Sequence, residues 1–496
     1  MGSEALQKRY SRQPVVLGLL LILLVGLGMR GFNLGAKSFW IDEIITAEIS
    51  RKGFSEAIRF AKDDVTPPLS YIWTVPIATE TTRESLIRLP SLTFGLLGIG
   101  AMFWFGCGVL ATRRVGLVAA MLMVFSPFHV HHSQDARMYA AFIALTVLAL
   151  GCEYRFWDVW TGSAQRSRKG TSYLIGWVVV TTANLYTTYF AFFVLGGQGL
   201  HVIYRLWKQR LDEDRWSLWL RWGVASIVVG VAYLPWMPAL LAFIQGNAGE
   251  VSPNVMFGWR MFKGAITKFG PQNPAGNLLY NLLALTGLVV SGRLARLFLF
   301  QAVLPLTYLF VFAPSHFFVG RYLSFLLPVY YVLIAAGLVQ AVRWLRHRGV
   351  LAATGEAKFW VTGVVLLVVV CWPGLSRYYR YEKQNWRDAS AFLRSHVQQG
   401  DRVVTEANRV VSCLYHYLRR DPPKVRLRFV PHVRKPEQLL EQLTKPGRIW
   451  FVHAWRSSTP RALREIVRRE FELQDSYSAL TSWGEVYVYL RAPGPR

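Results

Sequence analysis

The chain has 496 residues, of which 53% are hydrophobic and only 17% charged, with a formal net charge of +27. A mean hydropathy of +0.26 argues against a soluble enzyme of this length, which would divide into two or three more highly charged domains. The 19 Trp, 22 Tyr and 30 Phe suit the two interfaces of a polytopic membrane protein.

In chain order, apolar runs predict eleven spans near 14–30, 89–111, 116–130, 139–157, 172–186, 187–206, 218–242, 277–291, 297–313, 321–342 and 359–375. One bent span could replace the pair that meets at Asn184 to Tyr189. The first run follows Lys8, Arg9 and Arg12, and no small-residue cleavage site follows it. It is expected to be a retained signal anchor.

Segments assigned to the cytoplasm are basic. They carry Arg113 and Arg114, then Arg166, Arg168 and Lys169, then Arg205, Lys208, Arg210 and Arg215. Arg293 and Arg296 follow, and finally Arg343, Arg346, Arg348 and Lys358. The N-terminus is therefore expected inside and the C-terminal region outside. Much of the charge serves topology and would also suit anionic lipid headgroups. Basic residues spread over many short loops argue against nucleic-acid binding. Cys107, Cys152, Cys371 and Cys413 form no CxxC pair, so neither a disulfide framework nor a zinc knuckle is suggested.

Two organisational units are expected: a membrane module over 1–375, with its first outer loop at 31–88, and an extracytoplasmic α/β domain over 376–496. The outer segment 243–276 is rich in Gly, Pro and Asn and reads as a long loop. In the last part, "NWRDASAFLRSHVQQGD" reads as a helix stopped by Gly400. "RVVTEA", "VRLRFV", "RIWFVHAW" and "EVYVYLR" read as strands, and "TPRALREIVRREFEL" as an amphipathic helix opening at Pro460.

Four stretches could carry chemistry, all on the outer side. "KSFWIDEIITAE" sets Asp42 and Glu43 among Phe39, Trp40, Ile41, Ile44 and Ile45. They are either two solvated acids on an interfacial helix or partly buried functional acids. "DDVTPPLSYIW" holds Thr66, Pro67 and Pro68, where the prolines enforce an extended entry to an apolar helix. "SPFHVHHSQDARMYA" gathers Asp135, Arg137 and Tyr139. Its His129, His131 and His132 could be a metal cluster or polar anchors. "SHFFVGRYLSFLLP" brings His316, Arg321 and Tyr322. Arg137 and Arg321 are lone cations in short outer turns, against the charge bias. Each is either locally paired or snorkelling, or the two clamp one anion, since a guanidinium fork suits phosphate. Two acids and two arginines on one face fit transfer from a phosphate-linked donor: an acid removes a hydroxyl proton and the arginines stabilise the departing phosphate.

The ordered set "W-x-DE", "PPL-x-Y", "SQDARMYA", "RYL-x-x-x-LP" and "NWRDASAFL" resembles the GT-C glycosyltransferases, and among them the bacterial glycosyltransferase family 39 type. That type includes protein O-mannosyltransferases and lipid A aminoarabinose transferases. The resemblance implies an α-helical polytopic GT-C fold and a polyprenyl-phosphate–sugar donor. It implies inverting transfer to a hydroxyl of a lipid, glycan or protein, without cofactor or metal. By motif, Asp42 resembles the catalytic base, Glu43 its partner and Asp135 a second catalytic acid. Arg137, Tyr139, Arg321, Tyr322, Thr66 and Pro67 fall at positions that imply substrate binding. Many relatives have His or Lys directly before the two prolines; here Thr66 stands there and cannot supply a cation. The implied location is a bacterial inner membrane. The alternatives are a lipid-linked carbohydrate flippase or transporter, or a non-catalytic polyprenyl-lipid-binding relative. Transporters place their sites at broken helices near the midplane, commonly with inverted repeats, and no repeat is visible here.

Overall fold

The structure is a computed structural model. It describes residues 13–492 apart from 80–81, 111, 161–165, 209–213, 247–254, 313–319, 350–355, 426, 431–432, 434, 455–460 and 480–484. Two compact units emerge. The first comprises Met1–Phe32, Phe54–Trp73 and Leu89–Leu375; the second comprises Asn33–Gly53, Thr74–Arg88 and Ser376–Arg496. The segment 31–88 is thus divided between them.

In the first unit, a helix occupies each of the eleven apolar segments. Among the described residues, six helices are long and apolar enough to cross a membrane, or seven if the bent pair Arg113–Phe125 and Pro127–Ser133 counts as one. Separate helices, Arg166–Leu185 and Ala191–Lys208, flank the break around Asn184 to Tyr189. The expected loop 243–276 contains a helix, Val255–Phe269, followed by Asn273, whose side chain caps the Pro274–Val290 helix. Polar punctuation on both sides of that helix hid it from a composition-based reading.

Small residues set how closely these helices pack. A Cβ on Gly287 would overlap the Leu333 carbonyl, and one on Gly337 would overlap the Leu283 carbonyl. The Pro274–Val290 and Leu327–His347 helices therefore touch backbone to backbone. The 65° bend between Arg113–Phe125 and Pro127–Ser133 has a local cause. Pro127 has no N–H to give to the carbonyl of Met123, four residues earlier. Arg30, fully buried, donates to that carbonyl at 2.9 Å and to the Val124 carbonyl at 3.3 Å. It also reaches the Gly26 carbonyl, Ser133 Oγ and His129 Nδ1.

The second unit carries a five-stranded sheet, ordered β2-β1-β3-β5-β4. The strands are β1 (Arg402–Thr405), β2 (Arg428–Phe429), β3 (Ile449–Ala454), β4 (Glu472–Tyr477) and β5 (Val486–Arg491). β1 pairs parallel with β2 and β3, with Val403 opposite Trp450, while β5 runs antiparallel to both β3 and β4. Parallel neighbours need helical crossovers, and the Asn408–Arg420 and Pro436–Leu443 helices supply them. Leu439, Leu463, Val467 and Phe471 pack on Val404, Ile449 and Phe451 in one apolar core. The expected helix before β1 runs Trp386–His396, and Gly400 takes φ +89° in the turn that follows. Also in this unit is the Ile41–Arg51 helix, which opens on Asp42 and Glu43, where acids suit the positive end of the helix dipole.

Candidate active site

The second unit holds the acidic pair. Glu43 is fully buried and is gripped by Arg88, which is 1% exposed. Arg88 Nε and Nη2 donate to the two carboxylate oxygens at 2.7 and 2.8 Å. The same guanidinium donates to the carbonyls of Leu34, Lys37 and Ser38, at 2.8, 3.0 and 3.2 Å. Lys383 Nζ adds a second cation 3.7 Å from Glu43. Glu43 was expected in catalysis beside Asp42; its geometry is that of an internal clamp that closes the 34–40 turn. Arg88 was invisible to motif reading because 45 residues separate it from its partner.

Asp42 differs from its neighbour. It is half-buried, and its backbone carbonyl accepts from Thr46 Oγ1 at 3.0 Å. Burial, and then the charge of Asp42, push the thiol of fully buried Cys413 well above its usual range. Nearby, Lys37 lies under the carbonyls of Tyr378 and Tyr381. Burial, partly offset by Glu382, lowers its ammonium to about 8.

The first unit holds the second acid and the arginines. The turn after the Pro127–Ser133 helix carries Asp135, 1% exposed, and Arg137, 8% exposed. The Arg137 N–H donates to the Asp135 carbonyl at 2.6 Å, and Ser91 Oγ donates to the Arg137 carbonyl at 3.2 Å. Arg137 Nη2 donates to Thr66 Oγ1 at 3.3 Å, so the residue before Pro67 and Pro68 receives its cation from Arg137. Arg321 Nε donates to the Tyr139 hydroxyl at 2.8 Å, and its guanidinium lies 5.6 Å from that ring and 5.9 Å from the Tyr322 ring. Tyr322 in turn stacks on Phe190 at 4.2 Å. Arg137 joins Thr66 and Arg321 joins Tyr139, each over a separation no local pattern could predict.

Lys268, which no motif marks, belongs with these cations. Burial and then the charge of Arg321 lower its ammonium. A basic residue at the end of an amphipathic helix is its only signal in the sequence. The histidines divide. His129 faces Arg30, whereas donor atoms of His131, His132 and Asp135 all lie within 4.8 Å of one another, a set of the right types for a divalent cation. His132 Nδ1 is 3.8 Å from Asp135 Oδ2, which also makes it an ion-pair partner when protonated. His316 lies outside the described residues.

The chain has the fold of the GT-C membrane glycosyltransferases, as its ordered motifs imply. Residues 65–246 match the family model of dolichyl-phosphate-mannose-protein mannosyltransferase. ArnT from Cupriavidus metallidurans, in the apo state, superposes with a TM-score of 0.59 at 14% identity, over 98% of this chain and 100% of that one. The same protein bound to undecaprenyl phosphate gives 0.57, also at 14% identity and with the same coverage of each chain. The oligosaccharyltransferase AglB from Archaeoglobus fulgidus gives 0.59 at 12% identity, over 96% of this chain and 74% of that one. No curated protein sequence is significantly similar to the chain.

Proposed function

We propose that the protein is a membrane glycosyltransferase that moves a sugar from a polyprenyl-phosphate donor to a hydroxyl of a lipid, glycan or protein acceptor on the extracytoplasmic side. The observation that carries this reading is the pairing of Arg137 with Thr66 and of Arg321 with Tyr139, two guanidinium groups each held by the hydroxyl of a buried side chain. The likeness to an enzyme solved with undecaprenyl phosphate supports the donor class. In this reading the enzyme is multi-pass in a bacterial inner membrane, with its N-terminus inside and its C-terminal domain outside.

The donor phosphate meets Arg137 and Arg321, with Lys268 adding charge and Tyr139 and Tyr322 shaping the aromatic wall. Thr66, fixed by Pro67, orients Arg137. Asp42 takes the proton of the acceptor hydroxyl as that oxygen attacks the anomeric carbon and the lipid phosphate departs from the opposite face, inverting the configuration. Bidentate donors placed where phosphate charge develops lower the barrier to its departure. Asp135 orients the acceptor, and Glu43 holds the helix that bears Asp42. No metal enters this scheme.

Purified protein offered polyprenyl-phosphate mannose, glucose and aminoarabinose, with membrane extract from cells lacking the gene, tests the reading. Mass spectrometry should find one extract component heavier by one sugar. Asp42→Asn should slow its formation by about 10²–10⁴. Wild-type rates in Asp42→Asn would remove Asp42 as the base.

A further inference from the structure

The Ile41–Arg51 helix is held at both ends by residues from the last quarter of the chain, all within the second unit. At its entry, the Tyr417 hydroxyl accepts from the Phe39 N–H at 2.8 Å and from Ser38 Oγ at 3.2 Å, and donates to Glu84 Oε1 at 3.3 Å. This uses the donor and both lone pairs of a buried phenol. The first helical N–H, that of Ile41, donates to Gln384 Oε1 at 3.0 Å, and Trp386 Nε1 fixes the same oxygen at 2.9 Å. In the last turn, Glu48 accepts from His416 Nδ1 at 2.6 Å and from both terminal nitrogens of Arg419 at 3.0 and 3.1 Å. His416, Tyr417 and Arg419 all lie on the Asn408–Arg420 helix, which also carries Cys413, the thiol that feels the charge of Asp42.

One helix therefore grips another at two points, and Asp42 lies in the first turn of the gripped helix. A helix bonded only at its entry could swing, and one bonded only at its end could slide. Bonded at both, it has neither motion available. General-base catalysis is sensitive to such motion, since a misplacement of about 1 Å can cost on the order of 10²-fold in rate.

We propose that Tyr417 and the Glu48–His416–Arg419 clamp are positioning residues for transfer, so that the C-terminal domain sets the aim of Asp42. This rests on the reading of Asp42 as the base. The domain is then part of the catalytic apparatus through the Asn408–Arg420 helix, whichever acceptor the enzyme uses.

The experiment uses the full chain, with Tyr417→Phe and Glu48→Gln made singly and each combined with Asp42→Asn. Whichever of the three polyprenyl-phosphate sugars the wild type accepts serves as the donor. Folded protein is quantified by size exclusion and thermal unfolding, so that kcat refers to folded enzyme. Tyr417→Phe should lower kcat about ten-fold with donor KM within two-fold of wild type. In the Asp42→Asn background the same change should cost nothing further, because no base remains to be aimed. Glu48→Gln should behave alike and supplies the comparison if Tyr417→Phe folds poorly. Wild-type kcat in both folded variants overturns the proposal, and so does an equal loss in the two backgrounds. Near-normal transfer by Asp42→Asn alone is a different result: it removes the base itself.

Discussion

Replacing Arg88 with lysine keeps the charge beside Glu43 and removes the fork. Arg88 makes five hydrogen bonds, two to Glu43 and three to backbone carbonyls. A lysine has three donors, so at least two acceptors in a buried pocket lose their partner. Hydrogen bonds to charged groups contribute about 1.5–3 kcal/mol each, which puts the cost of Arg88→Lys at about 3 kcal/mol or more. For a unit of roughly 160 residues, each kcal/mol moves the midpoint by about 2–4 °C, so Tm should fall by at least about 6 °C. The second unit contains the buried Trp386 and Trp450, and intrinsic fluorescence during heating in detergent reports its unfolding. Glu43→Gln should be worse, because it leaves Arg88 and Lys383 facing a neutral amide, and unpairing a buried charge costs about 3–5 kcal/mol. A midpoint within about 2 °C of wild type for Arg88→Lys would refute the clamp. It would return Glu43 to candidacy as a group that meets substrate.

Other outcomes follow from the same geometry. Glu406 Oε1 accepts from the Ala454 N–H at 3.0 Å, and burial raises its carboxyl to about 8. An acid raised in the folded state stabilises fully below its unfolded value near 4.5, and that contribution is lost as pH rises through 8. Glu406→Gln should therefore unfold at a higher temperature than wild type above pH 8, with little difference near pH 4.5; the same difference at both would contradict it. At Glu48, burial is outweighed by the hydrogen bonds and charges of His416 and Arg419, which hold the carboxyl down at about 2. Its contribution is present above pH 4.5 and fades as pH falls through 2, so the deficit of Glu48→Gln in thermal melts should shrink on acidification from pH 5. Arg321→Gln should raise donor KM and lower kcat, while Arg321→Lys recovers charge but not the bond geometry at Tyr139; wild-type kinetics in Arg321→Lys would show that charge alone matters, and equal losses in the two would show that charge contributes nothing. Chelation with EDTA should leave transfer unchanged, and a loss restored by zinc or manganese would bring His131, His132 and Asp135 into the chemistry.

The membrane helices were legible because long apolar runs have few other fates, and their boundaries fell within a few residues of the runs. The α/β character of the last part was legible for a similar reason: β1, β3 and β5 are Val- and aromatic-rich. β4 was not, because "ELQDSY" lies at the sheet edge, mostly exposed, and becomes a strand only by pairing with β5. Its first residues, Glu472 and Leu473, continue the apolar-polar pattern of the preceding helix. The Asn408–Arg420 helix was passed over, although Val410, Cys413, Leu414 and Tyr417 recur at helical spacing and are all buried. Its arginines, histidine and tyrosines masked the pattern. At the candidate site, motif order gave Asp42, Asp135, Arg137 and Arg321, but motif order carries no distances. That Arg137 reaches Thr66, or that Glu43 is spoken for by Arg88, depends on contacts between residues 71 and 45 positions apart.

The bend at Pro127 has a consequence for how such a protein is made. A span that contains this bend arrives in the bilayer with carbonyls that its own backbone does not satisfy, and in hydrocarbon each such group costs several kcal/mol. Arg30 answers two of them from a helix synthesised roughly a hundred residues earlier. The first helix is therefore a waiting partner during biogenesis. A generic apolar helix of equal length in its place would leave the third segment without that partner.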